Sequence, residues 1–224
     1  MIPLRDINPS GRFPAVTVAI ILSCTAAYLF ELGLGEDLNR FVLAYALVPQ
    51  HITYQLDARN YGFESLLAPF LTSMFLHGGW LHLIGNMWFL WIFGDNVEDA
   101  LGHFRFAIFY VLCGLAAGLT HYYLSPMSPV PTIGASGAIA GVLGAYLVRY
   151  PGARVVTLVP LGFFLQLMEL PAWLMLGLWF LAQALGGFVT LGATGGGIAW
   201  WAHVGGFVAG VILIRIFAPR RMMV

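Results

Sequence analysis

The sequence predicts an all-α membrane protein, a bundle of six transmembrane helices with a short, submerged fourth helix. Three observations carry this. First, 60% of the 224 residues are hydrophobic and 9% are charged, against about 25% charged in soluble domains; mean hydropathy is +0.85. Second, six apolar stretches come close to the about 20 residues that a span requires: 14–32, 80–97, 104–124, 133–149, 170–190 and 198–217. Third, all ten basic residues are Arg. A six-span path with a cytoplasmic N-terminus puts Arg5, Arg12, Arg105, Arg149, Arg154, Arg215, Arg220 and Arg221 inside, and only Arg40 and Arg59 outside. That is the asymmetry of the positive-inside rule.

The length fits a single membrane domain over 1–224. The first apolar run is of spanning length and lacks an A-x-A exit, so it reads as a span and not a cleaved signal. Net charge is zero and no basic cluster precedes Arg220-Arg221, which excludes nucleic acid as a partner. Cys24 and Cys113 fall in apolar runs and read as small buried residues. Residues 33–79 form a long external loop. Its second half, SLLAPFLTSMFLHGGW, is too apolar for a free loop and is expected on or in the membrane. The stretch YPGARVVTLVPLGFFLQLME (150–169) is apolar but broken by Pro151, Gly152 and Pro160. A seventh span there would send the C-terminal arginines outside, so it is read as a cytoplasmic interfacial segment. Pro171 then sits just inside the start of span five.

Spans two, four and six run from outside to inside, ending at Asp95, Arg149 and Arg215. His82 lies 13 residues before Asp95, Ser136 lies 13 before Arg149, and His203 lies 12 before Arg215. At 1.5 Å per residue all three stand roughly 18–20 Å above the inner boundary, in the outer half of a core about 30 Å thick. Ser136 opens the short fourth span, where unpaired N–H groups and a positive dipole suit a developing oxyanion. Gly137, Gly141 and Gly144 on span four, and Gly206 and Gly210 on span six, allow close helix approach. That approach brings Ser136 and His203 toward each other. His82 and Asn86, four apart on span two, share a face and can both donate hydrogen bonds.

A serine among glycines in a membrane helix ordinarily reads as packing, whereas membrane histidines are rare and functional by default. Together they form a Ser-His dyad candidate, since no acid lies at that depth. His77, His103 and His121 read as structural. Trp88, Trp91, Trp179, Trp200 and Trp201 read as lipid-facing or interfacial. No H-E-x-x-H and no acidic ligand is present at the site, so neither a metal nor a cofactor is expected. The inner halves of the spans (MWFLWIF, VLGAYLV) are apolar, which argues against a channel or transporter.

On the motifs HGGWLHLIGN (77–86), FGDNVEDALG (93–102), GASGAIAG (134–141) and AHVGGFVAG (202–210), the chain resembles the rhomboid intramembrane serine proteases from span one to span six. The resemblance implies Ser136 as nucleophile and His203 as general base, then acid. It implies His82 and Asn86, with the Ser136 N–H, as the oxyanion site. It gives Gly206 a tight-packing role and makes Glu98 a structural acid at the inner end of span two. The implied partners are the lipid bilayer and transmembrane protein substrates, cleaved in or near their spans after a small residue. Span five and the loop LGATGGG would be a moving gate. Six spans without an appended soluble domain suit a prokaryotic inner membrane. The alternative on the same scaffold is an inactive membrane-helix-binding protein, which would be expected to lack a dyad residue; both are present. Two features depart from the family. No Trp-Arg pair precedes the His motif, where the chain reads LLAPFLTSMF. Ala140 stands where some relatives place an aromatic against the catalytic His, leaving Trp200, Trp201 or a backbone carbonyl to orient His203.

Overall fold

The structure, a computed structural model, describes residues 1–59, 62–162, 164–189 and 199–218. The chain opens with strand β1 (Ile2–Asp6) and helix α1 (Ala15–Gly33), followed by short helices α2 (Leu38–Tyr45), α3 (Pro49–Asp57) and α4 (Phe63–Thr72). The long helices α5 (Trp80–Leu101) and α6 (His103–Leu124) come next, then α7 (Ser136–Arg149). Strands β2 (Arg154–Leu161) and β3 (Phe164–Pro171) precede helices α8 (Ala172–Val189) and α9 (Trp200–Phe217). Among the described residues, α1, α6, α8 and α9 are long and apolar enough to cross a membrane. The chain is an integral membrane protein. α5 is as long as α6 but carries His82, Asn86, Asp95, Asn96, Glu98 and Asp99. α7 has 14 residues, a rise of about 21 Å.

The short helix is the centre of the bundle. Every residue from Gly137 to Tyr146 is buried, and α7 touches α5, α6, α8 and α9. A helix buried all round must be apolar all round, and SGAIAGVLGAYLVR holds no charge before Arg149. Its glycines let backbone meet backbone. A Cβ on Gly206 would overlap the carbonyl oxygen of Gly137, and one on Gly210 that of Gly141. Close approach at small residues is how membrane helices gain packing contact without a hydrophobic drive.

At the far end of α5, Glu98 is 1% exposed. Its two carboxylate oxygens accept from the N–H groups of Val16 and Thr17, both at 2.8 Å, and His103 Nδ1 lies 2.5 Å from Oε1. These N–H groups belong to the first turn of α1, which has no intrahelical acceptor for them. A negative charge there is favoured by the helix dipole. Asn96 Nδ2 donates to Asn8 O at 2.7 Å, and the Gly11 N–H donates to Asp99 at 2.9 Å. The N-terminal segment is thereby stapled along α5. Cys24 and Cys113 are free and buried.

Two regions differ from the sequence reading. Residues 33–79 contain the helices α2, α3 and α4, and Leu47 exchanges two backbone hydrogen bonds with Thr132. The segment 150–169, expected as a cytoplasmic interfacial stretch, carries β2 and most of β3, and β2 also pairs with β1, giving an antiparallel sheet of order β1-β2-β3. Ile2 faces Leu158, and Leu161 faces Phe164 across the turn, where Gly162 has φ +61°, a conformation open to glycine. The fold is therefore mostly helical, not all-α. The strands escape periodicity because both faces of β3 are apolar (Phe164, Leu165, Leu167), so no alternation marks them. Trp88 donates its indole N–H to Pro3 O at 2.7 Å, and the Tyr146 hydroxyl donates to Asp6 at 2.6 Å. These bonds fasten β1 to α5 and α7.

Candidate active site

Ser136 is the first residue of α7, and the turn before it is built tightly. The Gly134 N–H donates to Ser73 O at 2.8 Å. Gly134 has φ +118°, and a Cβ there would strike the His82 ring. Only glycine fits both demands. The side chains of His82 and Asn86 thus close over the backbone that leads into Ser136.

Ser136 Oγ and His203 Nε2 are 2.8 Å apart. The other ring nitrogen, Nδ1, lies 2.7 Å from Gln183 Oε1 on α8. One helical turn before Gln183, the Trp179 indole lies 6.0 Å from the His203 ring between centroids. On the opposite wall, the Gly78 N–H donates to His82 Nδ1 at 3.4 Å. A neutral ring that accepts at Nδ1 carries its proton on Nε2, the nitrogen nearest Gly134. Asn86 is 8% exposed, and its Nδ2 has no hydrogen-bond partner. Leaving a buried donor unpaired is costly, and Asn86 lines the same cavity as Ser136 and His203. His77 lies beside His82, with ring centroids 5.2 Å apart; burial, then the nearby His82, lowers its pKa to about 4, so it is neutral. Ser136, His203, His82, Asn86 and Gln183 line one cavity of about 750 Å³.

Of the residues singled out from the sequence, Ser136, His203, His82 and Asn86 come together here. Gly137, Gly206 and Gly210 form the α7–α9 seam below them, and Glu98 is at the far end of α5. The loop LGATGGG (191–197) lies outside the described residues, as do Arg220 and Arg221. Among the described residues no group of three or more His, Cys, Asp or Glu is placed to hold a metal ion. Trp200, Trp201 or a backbone carbonyl are the groups expected to orient His203; the contacts seen on its ring are Gln183 and Trp179, while Trp200 packs over Gly186 and Trp201 over Gly187. Trp179 is therefore not simply lipid-facing; it also packs on Phe207, 6.2 Å between centroids. The sequence carried one signal for this pair. Trp179 and Gln183 are four residues apart, on one face, and Gln183 is a lone amide in an apolar helix.

A family model described as Rhomboid domain matches residues 65–220, more than half of the chain. The chain belongs to the rhomboid family. This rhomboid is 40% identical over 73 residues to Rhomboid-like protein 11, chloroplastic, of Arabidopsis thaliana, covering 33% of this chain and 26% of that one. It is 31% identical over 121 residues to Presenilin-associated rhomboid-like protein, mitochondrial, of Bos taurus, covering 52% and 32%. It is 35% identical over 94 residues to YdcA of Bacillus subtilis (strain 168), covering 42% and 45%. The matched stretch is thus less than half the length of each relative. Their names place one in chloroplasts and one in mitochondria, and another is bacterial, so they do not single out the prokaryotic membrane expected from the sequence.

Proposed function

We propose that this rhomboid is an intramembrane serine endopeptidase that hydrolyses a peptide bond in or near the transmembrane helix of membrane protein substrates. The observation that carries the reading is the 2.8 Å contact between Ser136 Oγ and His203 Nε2 inside a cavity also lined by the unpaired Asn86 amide. In this reading residues 1–224 form a single six-span domain with cytoplasmic termini. α7, shorter than the hydrocarbon core, starts below the external surface, and the cavity opens outward to admit water.

A membrane helix satisfies its own backbone, so its peptide bonds are shielded until it unwinds. Substrates with helix-weakening Gly or Pro near the outer face are the expected class. Ser136 Oγ attacks the carbonyl carbon and its proton passes to His203 Nε2. The developing oxyanion takes hydrogen bonds from His82 Nε2–H, Asn86 Nδ2–H and the Ser136 N–H. The C–N bond then breaks, and His203 returns the proton to the leaving amine. A water molecule, deprotonated by the same imidazole, hydrolyses the acyl-enzyme.

The test is labelling of the full chain in detergent by a fluorophosphonate, which phosphonylates an activated serine. Wild type should label, and Ser136→Ala and His203→Ala should not. Labelling that survives Ser136→Ala would sink the nucleophile assignment. A wild type inert to probe and substrates would favour the helix-binding alternative.

A further inference from the structure

We propose that Gln183 is the third member of the catalytic array, a positioning residue that locks His203 in the tautomer able to take the serine proton. The inference rests on the peptidase reading above and extends it to α8.

The argument begins with donors and acceptors. An amide oxygen can only accept, so with Gln183 Oε1 placed 2.7 Å from His203 Nδ1 the matching tautomer carries its proton on Nδ1. A neutral imidazole with its proton there has its lone pair on Nε2. That nitrogen is the one 2.8 Å from Ser136 Oγ. The opposite tautomer would set an Nε2–H against the serine hydroxyl and would need the Gln183 amide turned over, so that its NH₂ donates to Nδ1. One hydrogen bond thus selects the form of the base that can accept a proton.

Burial explains the choice of residue. Gln183 is 8% exposed and is the one amide in AWLMLGLWFLAQALGGFV, which has no charged side chain. An unpaired amide in such surroundings is costly, so its place facing the imidazole is functional. A carboxylate would hold the imidazolium more strongly, but it would bring a charge that must be desolvated at membrane depth. An amide oxygen offers the same acceptor without that cost. Trp179 supports the arrangement from the same face of α8. Its indole lies against the imidazole at 37° and restricts ring rotation while Gln183 sets the proton.

The proton inventory is simple. When Ser136 attacks, its proton moves to Nε2. The Nδ1 proton stays on the imidazolium, hydrogen-bonded to Gln183, whose amide gains and loses nothing. The same Nδ1 bond holds the ring while Nε2 passes its proton to the leaving amine.

The experiment combines labelling rate with a direct reading of the tautomer. Gln183→Leu removes the acceptor with little change of volume, and Gln183→Glu restores one. In the full chain, Gln183→Leu should slow fluorophosphonate labelling by roughly 10–100-fold, short of the about 10⁴ lost where a Ser-His-Asp protease is forced into the wrong tautomer. Its melting temperature should be unchanged, and Gln183→Glu should recover most of the rate. The nitrogen chemical shifts of ¹⁵N-histidine, assigned by loss of the signal in His203→Ala, should show an Nδ1–H ring in wild type and a mixture in Gln183→Leu. Wild-type rate with an unchanged tautomer in Gln183→Leu would overturn the proposal and leave the dyad standing. Labelling that persists in Ser136→Ala would overturn the dyad instead, while the nitrogen shifts still decide what Gln183 does to His203.

Discussion

The two ends of α5 both bury polar side chains, and they treat them differently. At the C-terminal end, both oxygens of Glu98 are engaged by N–H groups of α1, and His103 adds a third contact. At the N-terminal end, Asn86 buries an amide nitrogen that no protein atom accepts from. It sits over the turn that leads to Ser136. Unpaired buried atoms also occur beside Glu98, at Thr17 Oγ1 and Asn96 Oδ1; what sets the Asn86 amide apart is that it lines the cavity shared with Ser136 and His203. In the endopeptidase reading, its acceptor is the oxyanion.

Substitutions at the N-terminal end of α5 test the contrast with the largest effects. Asn86→Ala and His82→Ala should each slow cleavage of a membrane substrate by about 10²–10³-fold, the scale of one lost oxyanion donor, with little change in melting temperature. Unchanged rates in both would remove the oxyanion role and leave the open amide of Asn86 without a chemical purpose.

Glu98→Ala is the counterpart at the C-terminal end of α5, and it should reverse the pattern. Two charge-assisted hydrogen bonds to the start of α1 disappear, which costs about 3 kcal/mol or more. Thermal unfolding should move to distinctly lower temperature, while the labelling rate per folded molecule stays near wild type. A variant that melts normally but fails to label would mean that the Glu98 end takes part in the chemistry, and the contrast would fail.

The smallest effect belongs to Asp6, which lies outside the spans. Burial, opposed by the hydrogen bond from Tyr146 and helped by the nearby Asp95, raises its pKa to about 6. The folded chain then binds this proton more tightly than the unfolded chain. Its contribution to stability is full below about pH 4 and is lost as pH rises through 6. Melting temperature should decline between pH 5 and pH 7, and Asp6→Asn should flatten part of that slope. Identical slopes in the two proteins would remove Asp6 as a cause.

Much of the candidate site was legible in the sequence, because membrane depth converts directly into residue counts. Ser136, His82 and His203 could be levelled against Asp95, Arg149 and Arg215, and the glycines of α7 and α9 announced a close seam. Gln183 was harder to see. A single amide in LGLWFLAQALGG does not interrupt the hydropathy of a span, and nothing local says that its helix turns that face toward His203. Trp179 was hidden for a similar reason: an indole on a membrane helix has many uses. The hairpin of β2 and β3 was missed because period-two patterning needs one wet face and one dry face. VVTLVPL and FLQLMEL present apolar side chains on both sides, and β1 is too short to read as a partner.

The pairing of β1 with β2 has a consequence for how the chain is assembled. Ile2 finds its place opposite Leu158, and Asp6 is held by Tyr146. β1 precedes α7 and β2 along the chain by more than 100 residues and therefore waits for them before all its final neighbours exist. Contacts so distant along the chain are slow to form and tend to come late. The β1–β2 pairing acts as a closing seam, made after the helices have met. Until then the contacts with α5 can hold the segment, because Glu98 with Val16 and Thr17, Asp99 with Gly11 and Asn96 with Asn8 need nothing from residues beyond that helix.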